Sequence, residues 1–306
     1  MTATSPTIQA ILDAQAFLDR TLSLRRHDPI GTNQIASIAI AIATGARSPD
    51  GIQFFVVGAV DDTRECNVVK AFAMYSTSRG VFLSPAMTPD EASAVGEHVA
   101  ITVEPLLFEV TGSNAATTAF NAAYCRNRRS LTTPVWQENL LSYVLGTLRL
   151  PLSVAGTMRV ASAEHDSDLV TAWSTEFFEY IGAPAQDAVP FAAAGLRRQA
   201  IFLWEVEGKP VGFAGFAPPV TVEGETVYRI GPVFVSSTER RKGYASGLTA
   251  ALSQHLQAMN TSRSSRVCLF ADAANPASNK AYQNVGFELH SQSVAYSFTT
   301  IAGATT

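Results

Sequence analysis

The chain has 306 residues, of which 47% are hydrophobic and 16% are charged, so it can bury ordinary cores, and its length favours two domains. A formal net charge of -4 gives no global attraction for nucleic acid or an anionic membrane, so any positive field must be local. Cys66, Cys125 and Cys268 are scattered without a CxxC pair, which argues against a disulfide framework or a structural zinc site.

The first half of the chain alternates between helical and strand patterns. Apolar residues recur at helical spacing over residues 8–24 and 33–44, and the polar turn 61–64 separates two runs, 52–60 and 68–77, that predict a hairpin. The remaining predicted elements are strands at 81–83, 106–110 and 141–150 and helices at 88–98 and 114–128. We expect an α/β domain over residues 1–150, followed by a linker at 151–157.

Residues 151–306 form the second predicted domain. Residues 201–206 and 211–216 predict a hairpin about the turn Glu207-Gly208-Lys209-Pro210. The other predicted elements are strands at 158–161, 226–235, 266–271, 288–291 and 293–298 and helices at 165–181, 188–198, 243–259 and 278–285. Residues 299–306 are expected to form a frayed tail.

The N-terminus, Met1 to Ala10, has neither a basic n-region nor a long apolar core, so it does not resemble a signal peptide. The most apolar segments, such as Ile35 to Ala43, fall short of the roughly twenty residues that a membrane span needs. We therefore expect a cytoplasmic protein with no membrane partner.

A short apolar strand runs directly into a basic turn and then a helix. Arg240, Arg241 and Lys242 precede Gly243, where the helical pattern begins. The first amides of a helix have no intrahelical partner and lie at the positive end of its dipole, so a phosphate finds donors already aimed at it. A solvated surface turn is the alternative for a lone basic triplet, but the position directly before a glycine and a helix favours an anion site.

Two motifs resemble one known family. Arg240-x-x-Gly243-x-Ala245 resembles the Arg/Gln-x-x-Gly-x-Gly/Ala signature of the GCN5-related N-acetyltransferase (GNAT) superfamily. Further along, the stretch from Asn275-Pro276 to Gly286-Phe287 resembles the family's next helix and its closing Gly-Phe, with an Asn at the strand exit and Tyr282 on the helix. Two motifs in the family's order carry more weight than either alone.

The resemblance implies an α/β (α+β) protein of two domains. The second domain would have the GNAT fold, a mixed sheet with splayed central strands and flanking helices. The first domain would be a degenerate GNAT-like domain, as in tandem-GNAT proteins in which only the second half binds acetyl coenzyme A. Its turn Thr111-Gly112-Ser113-Asn114-Ala115 lacks the signature and has no basic residue beside Gly112, so we expect residues 1–150 to bind no coenzyme A. An unrelated α/β accessory domain is the alternative.

The resemblance also implies acetyl coenzyme A (acetyl-CoA) as co-substrate and no metal. The strand backbone would pair with the pantetheine arm, the basic loop would bind the pyrophosphate, and Asn275 would contact the pantetheine, with Ser278 and Asn279 as weaker candidates. The predicted cofactor-binding residues are Val233, Phe234, Val235, Arg240, Arg241, Lys242, Gly243, Tyr244, Ala245, Ser246, Asn275 and Ser278.

Tyr282 matches the position from which many family members protonate the coenzyme A thiolate. A phenol with a pKa near 10 can donate to a thiolate whose conjugate acid has a pKa near 8.5. A core tyrosine is the alternative, and it is what we expect for Tyr124. The central strand carries no acid to act as general base; four glutamates could act through water, and none is favoured: Glu176, Glu179, Glu205 and Glu225.

We therefore predict an acyltransferase that moves an acetyl group from acetyl-CoA to a primary amine by direct transfer in a ternary complex. The acceptor would be a small-molecule amine or an amino acid, and a protein terminus is also compatible with the sequence. An enzyme that uses a longer acyl chain is a further alternative. The missing strand acid keeps open the alternative of a non-catalytic acyl-CoA-binding or regulatory protein. The chain has neither a GxGxxG nor a GxxxxGK[ST] motif, its His165, His255 and His290 are isolated, and no pattern predicts nucleic-acid binding or an oligomeric state.

Overall fold

The computed structural model describes residues 6–60, 66–104, 106–128, 132–259 and 264–300. It divides into two compact units, of which unit 1 contains Met1–Leu141 and Ser291–Thr306 and unit 2 contains Ser142–His290. This division differs from the predicted boundary at residue 150, because the last strand of the chain returns to unit 1 and pairs there.

Unit 1 begins with a strand and three helices, β1 (Thr7–Ile11), α1 (Ala14–Arg20), α2 (Leu22–His27) and α3 (Asn33–Ala43). They are followed by β2 (Ile52–Val60), β3 (Cys66–Ser76), β4 (Gly80–Leu83), α4 (Pro89–Thr102), β5 (Glu109–Gly112) and α5 (Asn114–Asn127). The next strand, β6 (Thr132–Leu145), begins in unit 1 and ends in unit 2.

In the sheet of unit 1, β1, β2, β3 and β4 pair antiparallel in that order, whereas β4 and β5 are parallel. Residues of β2 alternate between two buried clusters, with Phe54 and Val56 facing α1 and α3 and with Phe55 and Val57 facing α4 and α5. Successive strand side chains point to opposite faces, so the apolar run of β2 fills the core on both sides of the sheet.

Unit 2 contains β7 (Thr157–Val160), α6 (Ser167–Tyr180), α7 (Ala188–Arg197), β8 (Ile201–Val206), β9 (Lys209–Phe216) and β10 (Val220–Val222). It continues with β11 (Glu225–Val235), α8 (Tyr244–Ala258), β12 (Ser264–Asp272) and α9 (Pro276–Val285). The last strand, β13 (Phe287–Thr300), begins in unit 2, and its residues Val294 to Ser297 pair antiparallel with β5 of unit 1.

The two units repeat one strand arrangement. In unit 2, β8 pairs antiparallel with β9, β9 pairs antiparallel with β11, and β11 is parallel to β12. The strands β2, β3, β4 and β5 of unit 1 show the same three relationships, and in both units a helix connects the two parallel strands. A mixed α/β architecture in two units, as the sequence predicted, is therefore confirmed.

Several predicted elements were wrong in type or extent. The helix predicted from residue 8 begins only at Ala14, because residues 7–11 pair with β2 and the Asp13 side chain caps the helix. The strand predicted at 141–150 is β6, which begins at Thr132. β10 was not predicted, and one continuous strand, β13, replaces the two predicted at 288–298. Of the predicted tail, residues 301–306 lie outside the described residues.

Within the described ranges, none of the helices combines the length and the apolar character that crossing a membrane requires.

Candidate functional site

Strand β11 extends beyond its pairing with β12. The parallel ladder runs from Glu225 opposite Ser264 to Ile230 opposite Leu269, whereas β11 continues to Val235. The register between β11 and β9 also shifts between Ile230 and Val233. Pro232 lies at this shift, and a proline has no N–H with which to continue a ladder. The end of β11 therefore stays paired with β9 while it leaves β12, which gives the splayed central sheet.

Val233, Phe234 and Val235 form this unpaired edge. The ring of Phe234 packs against Phe213 and Trp173, with ring centroids 5.8 and 5.7 Å apart, so its side chain belongs to the core of unit 2. The main-chain groups that face away from β9 have no strand partner among the described residues. Backbone amides of this kind can pair with the amides of an extended ligand, which is the role predicted for the three residues.

Helix α8 begins without a side-chain cap. Its N-cap residue is Gly243, with φ 84°, and the first backbone bond of the helix joins the Gly247 N–H to the Gly243 carbonyl at 3.0 Å. In the described part of the chain the amides of Tyr244, Ala245 and Ser246 therefore have no acceptor. Three free N–H groups at the positive end of a helix dipole form a site for an anion.

The predicted basic residues lie in the turn before this helix, and all three are exposed. The Arg240 Nε donates to the Val235 carbonyl at 3.1 Å, which ties the turn to the end of β11. Lys242 Nζ lies 2.9 Å from Glu239 Oε2, and this hydrogen bond raises the lysine pKa. Arg241 adopts a left-handed conformation, with φ 64°, and has no side-chain partner among the described residues.

A close approach explains two glycines of α8. A Cβ on Gly243 would lie 3.1 Å from Val154 Cγ2, and one on Gly247 would lie 3.0 Å from both Val154 and the Trp204 ring. The Trp204 Nε1 donates to the Ala155 carbonyl at 3.0 Å and holds this segment in place. Val154 and Trp204 therefore position the helix terminus. The sequence analysis missed both, although the two glycines four residues apart are a signal of close approach.

Asn275 serves as the N-cap of α9 in this structure. Its Oδ1 accepts from the Ser278 N–H at 3.0 Å, whereas its Nδ2 has no acceptor among the described residues. The neighbouring Asn279 donates from Nδ2 to the Asp272 carbonyl at 2.9 Å, and its buried Oδ1 has no partner among the described residues. Capping thus occupies only the oxygen of Asn275, so its amide N–H groups remain available to a ligand.

Tyr282 lies one turn after Ser278 on α9, which packs against α8 and β12. Its side chain is 8% exposed, and burial raises the pKa of its phenol to about 12, with the Ser278 hydroxyl opposing the shift. The phenol therefore stays protonated at neutral pH, as a proton donor must. Tyr124, by contrast, is fully buried in unit 1, where its hydroxyl accepts from the Leu107 N–H at 3.0 Å.

The four glutamates considered as general bases differ in their partners. Glu205 Oε1 accepts from Arg159 Nε at 2.8 Å, and Glu225 Oε2 accepts from an Arg266 guanidinium nitrogen at 2.7 Å. Glu176 and Glu179 lie on the exposed face of α6. Within the described residues, no group of three or more His, Cys, Asp or Glu side chains could hold a metal ion.

The equivalent turn of unit 1 is not the one predicted. The strand order makes β4 the counterpart of β11 and α4 the counterpart of α8, so the turn that corresponds to the basic loop is 84–88 and not 111–115. There Thr88 Oγ1 accepts from the Glu91 N–H, and Glu91 Oε2 accepts from the Thr88 N–H at 2.9 Å. This capping box occupies the helix terminus with a carboxylate, and Pro89 removes another donor.

In unit 1, strand β4 does not extend far beyond its pairing with β5, unlike β11 in unit 2. β4 pairs with β5 through Val81 opposite Val110 and Phe82 opposite Thr111, and β4 ends one residue later at Leu83. The splayed edge and the free helix terminus of unit 2 therefore have no counterpart in the described residues of unit 1.

Comparison with known proteins agrees with this geometry. Residues 166–287 match the model of the acetyltransferase (GNAT) family. Among solved structures, a GNAT-family acetyltransferase from Colwellia psychrerythraea is 16% identical, with 96% of this chain and 99% of that chain covered and a TM-score of 0.59. A GCN5-related N-acetyltransferase from Sphaerobacter thermophilus is 15% identical, with both chains fully covered and a TM-score of 0.59.

A tandem GNAT protein from the clavulanic acid biosynthesis pathway is 10% identical, with 96% of this chain and 98% of that chain covered and a TM-score of 0.55. At these identities the similarity concerns the fold, and it extends over both units. No curated protein sequence matches the chain.

Proposed function

We propose that unit 2 transfers an acetyl group from acetyl-CoA to a primary amine, because residues 166–287 match the model of the GNAT acetyltransferase family and both units resemble GNAT structures in fold. At the level of the family, the reaction is acyl transfer from acyl-CoA to an acceptor. The acetyl donor, the amine acceptor and direct transfer in a ternary complex are our proposal.

One observation supports the proposal most strongly. The edge of β11 that β12 leaves unpaired leads within one short turn to the free amides of α8. A ligand with an extended amide-containing arm and a diphosphate needs these two features in this order. The chemistry that coenzyme A supplies is an activated thioester.

We propose that separate groups of residues bind the two parts of coenzyme A and donate the proton. Val233 to Val235 would hold the pantetheine arm through backbone hydrogen bonds, with the Asn275 Nδ2 as a further donor. The amides of residues 244–246 would bind the diphosphate, together with the positive charges of Arg240, Arg241 and Lys242. Tyr282 would donate its phenolic proton to the departing sulfur as the acceptor nitrogen bonds to the acetyl carbon. No step depends on a metal.

The ion pairs of two glutamates limit the kind of amine that unit 2 could accept. Glu205 and Glu225 are engaged in ion pairs, so we assign neither of them as a general base. An amine that is partly neutral at the working pH would need only water to carry its proton away. We therefore propose a small amine or an amino acid with an amine pKa below that of a lysine side chain.

The proposal is tested by measuring release of free thiol from acetyl-CoA across a panel of small amines and amino acids of graded amine pKa. We expect turnover with at least one amine, and a higher rate for amines of lower pKa at neutral pH. Tight binding of acetyl-CoA without turnover for any amine would instead support a non-catalytic acyl-CoA-binding protein. Absence of both binding and turnover would contradict the assignment of the site itself.

A further inference from the structure

A cleft lies in unit 1, and none of the residues that line it is among those assigned to coenzyme A. Its volume is about 350 Å³, which falls within the range of small-ligand sites, roughly 300–1,000 Å³. The residues that line it come from the start of α5, from β6 and from β13: Asn114, Trp136, Asn139, Gln292, Ser293 and Val294. All six belong to unit 1.

Trp136 is the one aromatic residue of this lining, and it is 54% exposed. Its indole Nε1 has no acceptor among the described residues. Trp204 of unit 2, by contrast, is buried and donates to a backbone carbonyl. Tryptophan is highly buried on average, because its large ring gains much from leaving water. An indole left exposed at the wall of a cleft therefore offers a surface on which a ligand can stack.

The polar groups beside Trp136 are carboxamides. Asn114, Asn139 and Gln292 each present one acceptor oxygen and two N–H donors, and their side chains have no hydrogen-bond partner within the described part of the chain. None of the six lining residues carries a charge. Because a charged ligand would lose hydration without gaining a counter-charge here, the lining favours a neutral ligand rich in both donors and acceptors.

These features match the surface of a sugar. Each hydroxyl of a sugar ring can both donate and accept, as the three carboxamides require, and the ring C–H groups carry the slight positive charge that the negative face of an indole attracts. We propose that this cleft of unit 1 binds a neutral saccharide of one or two rings. The site is independent of the acyl transfer proposed for unit 2, and it would give unit 1 a ligand of its own.

Tryptophan fluorescence of the full chain tests the proposal directly. The chain has three tryptophans, and of these Trp173 contributes to the core of unit 2 and Trp204 is buried, so a ligand that stacks on Trp136 should change the emission of the exposed indole. The probes are glucose, galactose, N-acetylglucosamine and maltose, with gluconate and glucose 6-phosphate as anionic counterparts. We expect a saturable change for at least one neutral sugar and a weaker response to both anionic probes than to that sugar.

Variants locate the site, and calorimetry measures affinity without relying on the fluorophore. Trp136→Phe should remove the fluorescence response, and Trp136→Ala should weaken binding by about thirtyfold, as loss of a stacking tryptophan does at other interfaces. Asn139→Ala and Asn114→Ala should each weaken binding by about fivefold to tenfold. Asn127→Ala is the matched control, because it lies at the other end of α5, outside the cleft.

The proposal is overturned if none of the four sugars gives a saturable response up to tens of millimolar, or if the response persists in Trp136→Phe. It is also overturned if Asn127→Ala weakens binding as much as Asn114→Ala, or if only the anionic probes bind. Acetyl-CoA affinity, measured in the same variants, should stay at the wild-type value, which separates this site from the one in unit 2.

Discussion

Gly243 offers the sharpest test of the anion site. The residue has φ 84°, and an added Cβ would lie 3.1 Å from Val154 Cγ2. A side chain costs about 1–2 kcal/mol in the left-handed conformation, and the Val154 contact adds to this. If the turn before α8 shifts to relieve this strain, the free amides of α8 move away from the diphosphate of acetyl-CoA. Gly243→Ala should therefore weaken acetyl-CoA binding by roughly fivefold to thirtyfold.

Gly243→Glu adds a charge to the same strain. A carboxylate about 5 Å from one diphosphate charge costs roughly 3 kcal/mol at an effective dielectric constant of about 20, less whatever salt screens. We expect at least a hundredfold loss of acetyl-CoA affinity, measured by calorimetry at fixed ionic strength, with circular dichroism to show that the variant is folded.

Gly208 supplies matched controls for both changes. It also has a positive φ, 74°, but an added Cβ would meet nothing within 4 Å. Gly208→Ala and Gly208→Glu carry the same backbone cost outside the site, so their acetyl-CoA affinity should equal that of the wild type. A folded Gly243→Glu protein that bound acetyl-CoA within twofold of the wild type would refute the placement of the diphosphate.

Three further predictions follow from named contacts. Calorimetry of the full chain should give one acetyl-CoA per chain, because the Thr88–Glu91 capping box closes the corresponding helix of unit 1; a stoichiometry of two would contradict this. Gly286 has φ 106°, and an added Cβ would overlap the Thr147 carbonyl, so Gly286→Ala should lower Tm by about 6–12 °C. Gly208→Ala, which meets no such contact, should lower Tm by about 2–4 °C, and an equal fall in Tm for both variants would count against the clash. The folded pKa of Tyr282 is raised from 10 to about 12, so its contribution to the free energy of unfolding is complete below pH 10 and is lost as pH rises towards 12. In urea unfolding between pH 10 and 12, the wild type should therefore lose up to ~3 kcal/mol more stability than Tyr282→Phe. If the two proteins lost stability equally with pH, Tyr282 would ionise normally.

The turn and helix start of the proposed anion site could be predicted from sequence because their determinants are local. The three basic residues, Gly243 and the helix that follows are contiguous, and the conformation they require is set within a few residues of chain. The same holds for Asn275 and the start of α9. Predictions that rest on such short stretches depend little on tertiary context.

Features that depend on pairing between distant segments could not be predicted in this way. The helical pattern at residues 8–11 gives way to β1 because β2 offers a strand partner. The return of β13 to β5, and with it the division into units, depends on an antiparallel pairing between residues 294–297 and 109–112. The contact of Val154 with two glycines of α8 likewise joins segments far apart in the chain.

The misplaced turn of unit 1 has a similar cause. The turn that contains Gly112 also precedes a helix, but only the strand pairing shows that the counterpart of the basic loop is the turn before α4. The expectation that unit 1 binds no coenzyme A stays a prediction, now with a different physical reason. A capping box that places Glu91 at the helix terminus opposes a phosphate more directly than the lack of a basic residue would.

The central claim is that unit 2 catalyses acyl transfer with Tyr282 as the proton donor, and the most direct test compares wild type with Tyr282→Phe in the thiol-release assay. The substitution removes one oxygen and keeps the ring packed against Phe287, 6.3 Å away between centroids. We predict that kcat falls by roughly tenfold to a thousandfold while the Kd for acetyl-CoA stays within twofold. A kcat equal to that of the wild type, with an active amine acceptor, would contradict the claim and leave Tyr282 as a core residue.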